Sequence, residues 1–211
     1  MIDLNISKQQ LFDLGVTLTK KFLSVNDLYV PEFFTYEQIF ETGDLHPTMR
    51  GFAYRVLRRL ENGPAQGYAT GYYSHNTVFV NLKKAAWLVR KPACSSWSFP
   101  GYKVDREPCG VVAHETGHHV DKCCCDISRG TTWRDTVKNS KSITSYEPNL
   151  SESMAESLRL FILNPDLLEQ GSRPRYQFLQ GIGLKPSETR DFRQVLDHPA
   201  YIAQAERWIL K

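Results

Sequence analysis

The stretch VVAHETGHHVD, residues 111–121, decides how the rest of the chain is interpreted. It contains the pattern H-E-x-x-H. On a helix, His114 and His118 stand one turn apart on the same face, so both imidazoles can bind one Zn²⁺ ion. Glu115 lies beside them, where its carboxylate can take a proton from metal-bound water. The stretch therefore predicts a helix that carries a metal site, and we expect one zinc ion per chain.

A zinc site that keeps one position open for water needs a third protein ligand, and there are two places to look for it. In one known arrangement, the helix ends at a Gly three residues after the second His of the motif, and a third His follows this Gly. Here Asp121 replaces the Gly and Cys124 stands where the His should be, so this arrangement fails unless a thiolate serves. In the other, a Glu comes from a later helix, and Glu152 and Glu156 share one face of the helix predicted over residues 150–163.

Length and composition indicate an ordinary globular protein. The chain has 211 residues, of which 41% are hydrophobic and 23% charged, and we expect a single domain over residues 1–211. The net charge of +3 is spread along the chain. The densest basic cluster, Arg55, Arg58 and Arg59, has the spacing of a solvated helix face, so we expect no nucleic-acid partner.

Neither a membrane segment nor a secretory signal is expected. The longest apolar run, AAWLV at residues 85–89, is far shorter than the roughly 20 residues that cross a bilayer. The first 30 residues have no basic segment followed by an apolar one. Five cysteines, three of them consecutive, argue against a regular disulfide framework and modestly favour a reducing compartment. We therefore expect a cytoplasmic location and no membrane contact.

Residues 1–65 are predicted to form a helical N-terminal part. Ser7 is a candidate N-cap, and it is followed by an apolar stripe at helical spacing. Thr35 and Gln38 have the spacing of a capping box that opens a short second helix. A third helix is expected over residues 48–60. The stripe of the first helix consists of Leu11, Leu14, Leu18 and Phe22.

Residues 66–211 are predicted to contain a small, mostly antiparallel sheet and then helices, so the fold class is α+β. The β-rich runs 68–74 and 77–82 flank His75 and Asn76, a plausible hairpin turn. The metal helix should run from about residue 107 to about 125. Further helices are expected over residues 132–137, 150–163 and, starting near Ser187 and Pro199, at the end of the chain.

At this point the sequence resembles a known group, the gluzincin metallopeptidases related to the catalytic domain of anthrax lethal factor and, more distantly, the Pro-Pro endopeptidases. The segment HETGHHVD at 114–121 is similar to that group's H-E-x-G-H-x-V-D. The segment TSY at 144–146 is similar to its T-S-Y, and ESMAESLRL at 152–160 to its E-x-x-A-E-x-x-R-L. The resemblance covers roughly a quarter of the chain, and it implies a zincin-like domain.

Carried over residue by residue, the resemblance implies roles for the site. His114, His118 and Glu152 would bind zinc, and Glu115 would be the general base. Tyr146 would donate to the oxyanion, with Tyr102 as the alternative because the interval from Tyr146 to Glu152 is shorter than in lethal factor. Two acidic residues, Glu156 and Asp121, would orient the ligand histidines from outside the metal site.

These parts predict a zinc-dependent endopeptidase that hydrolyses a protein or peptide substrate with metal-activated water. The run 77–82, if it is a sheet edge facing the cleft, can bind the substrate backbone by strand addition. The alternative is a catalytically inactive zincin-like domain that acts as a protein-binding module, although an intact Glu115 argues against it. His119 is predicted to be a packing or surface residue, and the cysteines at 123–125 are predicted to be buried packing residues.

Overall fold

The fold is α+β and mostly helical in the part that the computed structural model describes, residues 7–35, 38, 71–74, 76–83, 85, 105 and 107–188. The helix expected over residues 48–60 and the one expected near Pro199 would fall on residues outside this part. Of the helix expected to start near Ser187, only residues 187 and 188 belong to it, and these two are not helical. The elements, in chain order, are α1 (Lys8–Val25), β1 (Glu32–Thr35), β2 (Gly71–Ser74), β3 (Thr77–Val80), α2 (Pro108–Cys123), a 3₁₀ turn (Ile127–Arg129), α3 (Thr131–Lys138), α4 (Leu150–Leu163), α5 (Pro165–Gly171) and α6 (Arg173–Gly181).

Helix α1 begins at the predicted cap. The Ser7 hydroxyl accepts a hydrogen bond from the backbone N–H of Gln10 (3.1 Å), and the Gln10 side chain accepts from the Ser7 N–H (2.7 Å). This reciprocal pair satisfies two donors that the first turn would otherwise leave unpaired. Leu11 and Phe22 of the predicted stripe are buried, whereas its other two leucines are half-buried against the same core.

The predicted capping box at Thr35 is also confirmed. The Thr35 N–H donates to the Gln38 side-chain oxygen (2.8 Å), and the Gln38 N–H donates to the Thr35 hydroxyl (3.3 Å). Only the start of the helix that this box would open belongs to the described residues.

The sheet has three described strands in the order β1-β3-β2. Strands β2 and β3 form the predicted antiparallel hairpin, in which Ser74 pairs with Thr77 and Asn76 adopts a left-handed turn conformation with φ 58°. Strand β1 pairs with β3 in the parallel direction. The sheet is therefore mixed, and the prediction of a mostly antiparallel sheet is wrong for the described strands.

Strand β1 also corrects the prediction of a wholly helical N-terminal part. It consists of only four residues, and its Phe34 ring stacks on Phe79 of β3 with the ring centroids 6.2 Å apart. Its parallel partner lies more than forty positions later in the chain, as the pairing of Glu32 with Thr77 shows. Local periodicity carries no signal for so distant a pairing.

The core lies where α2 packs against α4 and α1. At the α2–α4 contact, a Cβ atom added to Gly117 would lie 2.8 Å from the Ala155 backbone, so only glycine fits this approach. At the α1–α2 contact, Gly15 stands equally close to the backbone of Cys109, at 2.9 Å from such a Cβ. Buried side chains of the helices fill the space around these contacts: Leu23, Val120, Met154, Leu158, Phe161 and Ile162. None of the helices in the described ranges is long and apolar enough to cross a membrane.

We expect Gly117→Ala to lower the free energy of unfolding by about 1–3 kcal/mol, because the new methyl group must push α2 and α4 apart. The measurement is urea denaturation followed by circular dichroism. Gly181→Ala is the matched control, since a Cβ there meets nothing within 4 Å. Equal stability of the two variants would contradict the proposed close contact.

Candidate metal centre

The N-terminus of helix α2 is defined by the residues around its first turn. Pro108 occupies the first helical position, where no intrahelical N–H is needed, and Glu107 is the N-cap. The Asp105 carboxylate accepts a hydrogen bond from the Glu107 N–H (2.9 Å). A Cβ at Gly110 would overlap this carboxylate, so glycine leaves the room that Asp105 occupies.

Three candidate ligand atoms converge between α2 and α4. The Nε2 atom of His114 lies 3.1 Å from Oε2 of Glu152, and Nε2 of His118 lies 3.4 Å from the same oxygen. All three atoms lie within 4.8 Å of one another. The structure thus brings together the three residues that the sequence predicts as metal ligands.

The spacing of these atoms fits a tetrahedral ion. Ligand atoms that share one zinc ion at the usual bond lengths lie about 3.3 Å apart. The two measured separations are close to this value, and two nitrogens with one carboxylate oxygen form a donor set typical of zinc sites with an open position. The residues present therefore fit a divalent metal ion, although the geometry does not identify which one.

Glu156 contacts the ring nitrogen of His114 that faces away from the candidate metal site. Its Oε1 atom lies 2.7 Å from Nδ1 of His114, which leaves Nε2 facing the candidate site. Its Oε2 atom accepts a hydrogen bond from the Arg159 guanidinium at 2.9 Å, and Arg159 also lies 3.8 Å from the Asp105 carboxylate. A carboxylate bonded to the outer nitrogen fixes the orientation of a metal-binding histidine. Glu156 thus lies where the resemblance predicts an orienting residue.

Opposite charges dominate the electrostatics of this cluster. Burial lowers the pKa of His114, but hydrogen bonds to Glu152 and Glu156 outweigh it and raise the pKa to about 10. Burial raises the pKa of Glu156, but Arg159 and His114 outweigh it and bring the pKa to about 2. The pKa of Glu152 is likewise lowered, because its hydrogen bonds to the two histidines outweigh its burial. Both carboxylates are ionised at neutral pH, as a cation site requires.

Glu115 lies between α2 and strand β2. A Cβ at Gly71 would lie 2.7 Å from the Glu115 carboxylate, so the strand backbone passes directly over it. The Tyr73 N–H donates a hydrogen bond to this carboxylate. Burial raises the pKa of Glu115, an effect that His114 and His118 oppose. A buried carboxylate with a raised pKa beside two candidate ligands is suited to accept a proton.

Tyr146 lines the same cleft, with its ring centroid 6.0 Å from that of His114. Burial and the charges of Glu152, Glu115 and Glu156 raise its pKa to about 12, so its hydroxyl keeps its proton at neutral pH and can donate. The alternative residue, Tyr102, lies outside the described residues.

The segment that carries Tyr146 is fixed by a buried ion pair that the sequence analysis missed. Glu147 accepts hydrogen bonds from the N–H groups of Ile143 (2.8 Å) and Thr144 (3.2 Å), and the Arg175 guanidinium lies 2.8 Å from its carboxylate. Arg175 is fully buried. No sequence spacing links residues 147 and 175, which lie on a loop and on α6. Arg159 was missed as a partner of Glu156, although its position three residues later on the same helix was a usable signal.

Asp121 lies at the end of α2 with both carboxylate oxygens bound to Ser128. One accepts from the Ser128 N–H at 2.8 Å and the other from its hydroxyl at 2.6 Å. These contacts tie the end of α2 to the 3₁₀ turn. The predicted role in orienting a ligand histidine stays a prediction.

His119 is a packing residue, as predicted. It is fully buried, its Nε2 lies 2.6 Å from the Tyr29 carbonyl oxygen, and its Nδ1 lies 3.1 Å from the Tyr73 hydroxyl. The Tyr29 carbonyl can only accept, so Nε2 carries the proton of this hydrogen bond. His119 therefore ties β2, the strand above Glu115, to the segment after α1.

The predicted burial of the cysteine triplet is wrong for two of its members. Cys123 and Cys125 are exposed, and Cys124 is half-buried against the core. The reason is that α2 ends at Cys123 and the chain then turns through two left-handed residues, Cys125 (φ 62°) and Asp126 (φ 58°). None of the four described cysteines forms a disulfide.

The candidate ligands lie in a cleft of about 950 Å³ that also contains Glu115 and Tyr146. Comparisons of the chain with models of known protein families, with curated proteins and with solved structures find no match. The functional conclusion therefore rests on the geometry of these side chains.

We expect purified wild-type protein to hold close to one zinc ion per chain after reconstitution, and Glu152→Ala to lose most of it. The reason is that only two histidines remain when the carboxylate is removed. Elemental mass spectrometry of dialysed protein measures the content. Glu169→Ala, which removes an exposed carboxylate from α5, serves as the control. A wild type without bound zinc would overturn the assignment of the site.

Proposed function

We propose that this protein is a zinc-dependent endopeptidase of the gluzincin type, with a zincin-like domain, that hydrolyses peptide bonds in a protein substrate. The observation that carries the proposal is the convergence of His114, His118 and Glu152 on one point, with Glu115 beside them. The resemblance of residues 111–163 to gluzincins supports the choice of peptides as substrates. The site geometry alone is compatible with the hydrolysis of other amides.

The zinc ion would be held by His114, His118 and Glu152. When bound, it would polarise the substrate carbonyl and lower the pKa of a water molecule. Glu115 accepts the proton of the attacking water and later passes it to the leaving amine. Its raised pKa suits both steps, because a weakly basic carboxylate would hold the transferred proton poorly. The Tyr73 N–H keeps the carboxylate in place during the transfer.

Tyr146 would donate a hydrogen bond to the oxyanion that develops on the substrate carbonyl. Its protonated hydroxyl and its place in the cleft support this role. The buried pair Glu147–Arg175 keeps the loop backbone in position, so the donor would need little reorganisation when charge develops.

The strand that can bind the substrate backbone differs from the one expected. Strand β3 is the centre of the described sheet and is paired on both sides, so the condition that it forms the sheet edge is not met. Strand β2 is one of the two edges of the described sheet, and its Gly71 and Tyr73 line the cleft beside Glu115. We propose that an extended substrate lies along β2.

Glu115→Gln should reduce peptide cleavage by about 10²–10⁴-fold, because it removes the proton acceptor without changing the side-chain volume. The zinc content should remain that of the wild type. Cleavage is measured by mass spectrometry on a broad peptide library, with Glu169→Gln as the control. A protein-binding module would keep its partner after this change, so retained partner capture together with no cleavage by the wild type would favour that alternative.

Tyr146→Phe should lower kcat by about 10²–10³-fold with little change in KM, because the hydroxyl acts on charge that appears only in the transition state. Tyr176→Phe is the control, since this tyrosine packs against Phe161 away from the cleft. An unchanged kcat in Tyr146→Phe would remove Tyr146 from the mechanism.

A further inference from the structure

The cleft is lined by both acidic and basic side chains. Glu115, Glu152 and Glu156 surround the candidate metal site. Three cationic side chains line the same cleft, one from the last turn of α2 and two from the segment that follows it, and we call them the basic wall: Lys122, Arg129 and Arg134. A peptide bound in this cleft would be exposed to both the candidate metal site and the basic wall.

The backbone that carries Arg129 is held in place by buried contacts. After α2, the left-handed residues Cys125 and Asp126 turn the chain, and the Asp126 N–H donates to the Asp121 carbonyl (2.8 Å). Ser128 is buried, and both its N–H and its hydroxyl donate hydrogen bonds to the Asp121 carboxylate. Arg129, the next residue, therefore projects from a fixed turn.

Arg134 also projects from an anchored position. Its neighbour Trp133 is fully buried, and the indole N–H donates to the Leu150 carbonyl at 3.0 Å. This bond joins α3 to the first residue of α4, the helix that carries Glu152. The Arg134 side chain is exposed, but its backbone is anchored through Trp133 to the helix that carries Glu152. Such preorganisation reduces the entropy lost on binding.

The basic wall retains positive charge after its internal pairing. Lys122 pairs with Asp126 at 2.5 Å, and Arg129 also contributes to the lowered pKa of Asp126. One carboxylate thus faces two of the cations. Arg134 lines the cleft and has no ion pair in the described part of the chain. A guanidinium prefers carboxylates, which it can bind through two parallel hydrogen bonds.

We propose that Arg134, assisted by Arg129, binds the carboxylate of an Asp or Glu side chain of the substrate, so that the enzyme prefers acidic residues at a fixed distance from the scissile bond. This inference rests on the proposed function, because it assumes that a peptide lies with its scissile bond at His114, His118 and Glu152. Arg134 is a specificity-determining residue in this scheme and takes no part in bond cleavage.

The test measures binding rather than turnover. The probes are short peptide hydroxamates, in which the hydroxamate binds the zinc of the reconstituted protein. One series carries this group at the C-terminal end of the peptide and the other at the N-terminal end. Each series places a single Glu, Gln or Lys at successive positions, and calorimetry gives the dissociation constants. Gln is the neutral isostere of Glu, so the ratio of the two dissociation constants gives the contribution of the negative charge to binding.

At one position of one series, we expect Glu to bind the wild type about three- to fivefold more tightly than Gln, the size typical of an exposed ion pair. Arg134→Glu should abolish this preference and favour Lys instead. The preference should also weaken as the salt concentration rises. Arg173→Glu, a charge reversal on α6 outside the cleft, should behave as the wild type.

The outcomes separate this inference from the proposed function. The role of the basic wall would be overturned if the hydroxamates bound equally well whatever the charge of the varied side chain. It would also be overturned if the preference for Glu survived in Arg134→Glu. Neither result would contradict the metal site. Failure of every hydroxamate to bind the zinc-loaded wild type would overturn the peptidase site and this inference with it. The zinc content of each variant, measured in parallel, shows whether the variant still holds the ion.

Discussion

The close approach of two helices at Gly117 and Ala155 is the constraint on which the candidate site depends. Gly117 lies between His114 and His118 on α2, and Ala155 lies between Glu152 and Glu156 on α4. With no side chain at position 117, the helix backbones come near enough for a carboxylate oxygen to lie 3.1 Å and 3.4 Å from the two imidazoles. A wider separation would leave the same residues facing each other without sharing a ligand position.

So many ionisable groups between two helices require compensation, because a buried carboxylate without a partner is costly. Two fully buried arginines, Arg159 and Arg175, provide it. Arg159 neutralises Glu156 and lies close to Asp105, so it supports the side that orients His114. Arg175 neutralises Glu147 and supports the loop of Tyr146. The candidate ligands and the candidate oxyanion donor are thus held by separate ion pairs that do not share a residue.

Local patterns predicted what short segments determine by themselves. The caps at Ser7 and Thr35, the hairpin at Asn76 and the limits of α4 at Leu150 and Leu163 all follow from neighbouring residues, and the structure confirms them. Helical spacing placed the two candidate histidines on one face. The resemblance to gluzincins then singled out Glu152 from the two glutamates of the later helix. Strand β1 and the pair Glu147–Arg175 were not found, because they depend on contacts between distant segments that no local period records. The position of β3 in the centre of the sheet was missed for the same reason.

The bond from His119 to the Tyr29 carbonyl has a consequence for how the protein can be divided. Residues 105–188 contain His114, Glu115, His118, Tyr146 and Glu152, so a fragment of this length would carry every candidate ligand and reactive group. It would lack both the Tyr29 acceptor and strand β2, which hold His119 and Glu115 in place. The candidate ligands and the contacts that position Glu115 are therefore separable along the chain. The ligands lie in one contiguous segment, whereas the placement of Glu115 and His119 depends on segments that meet only in the folded protein.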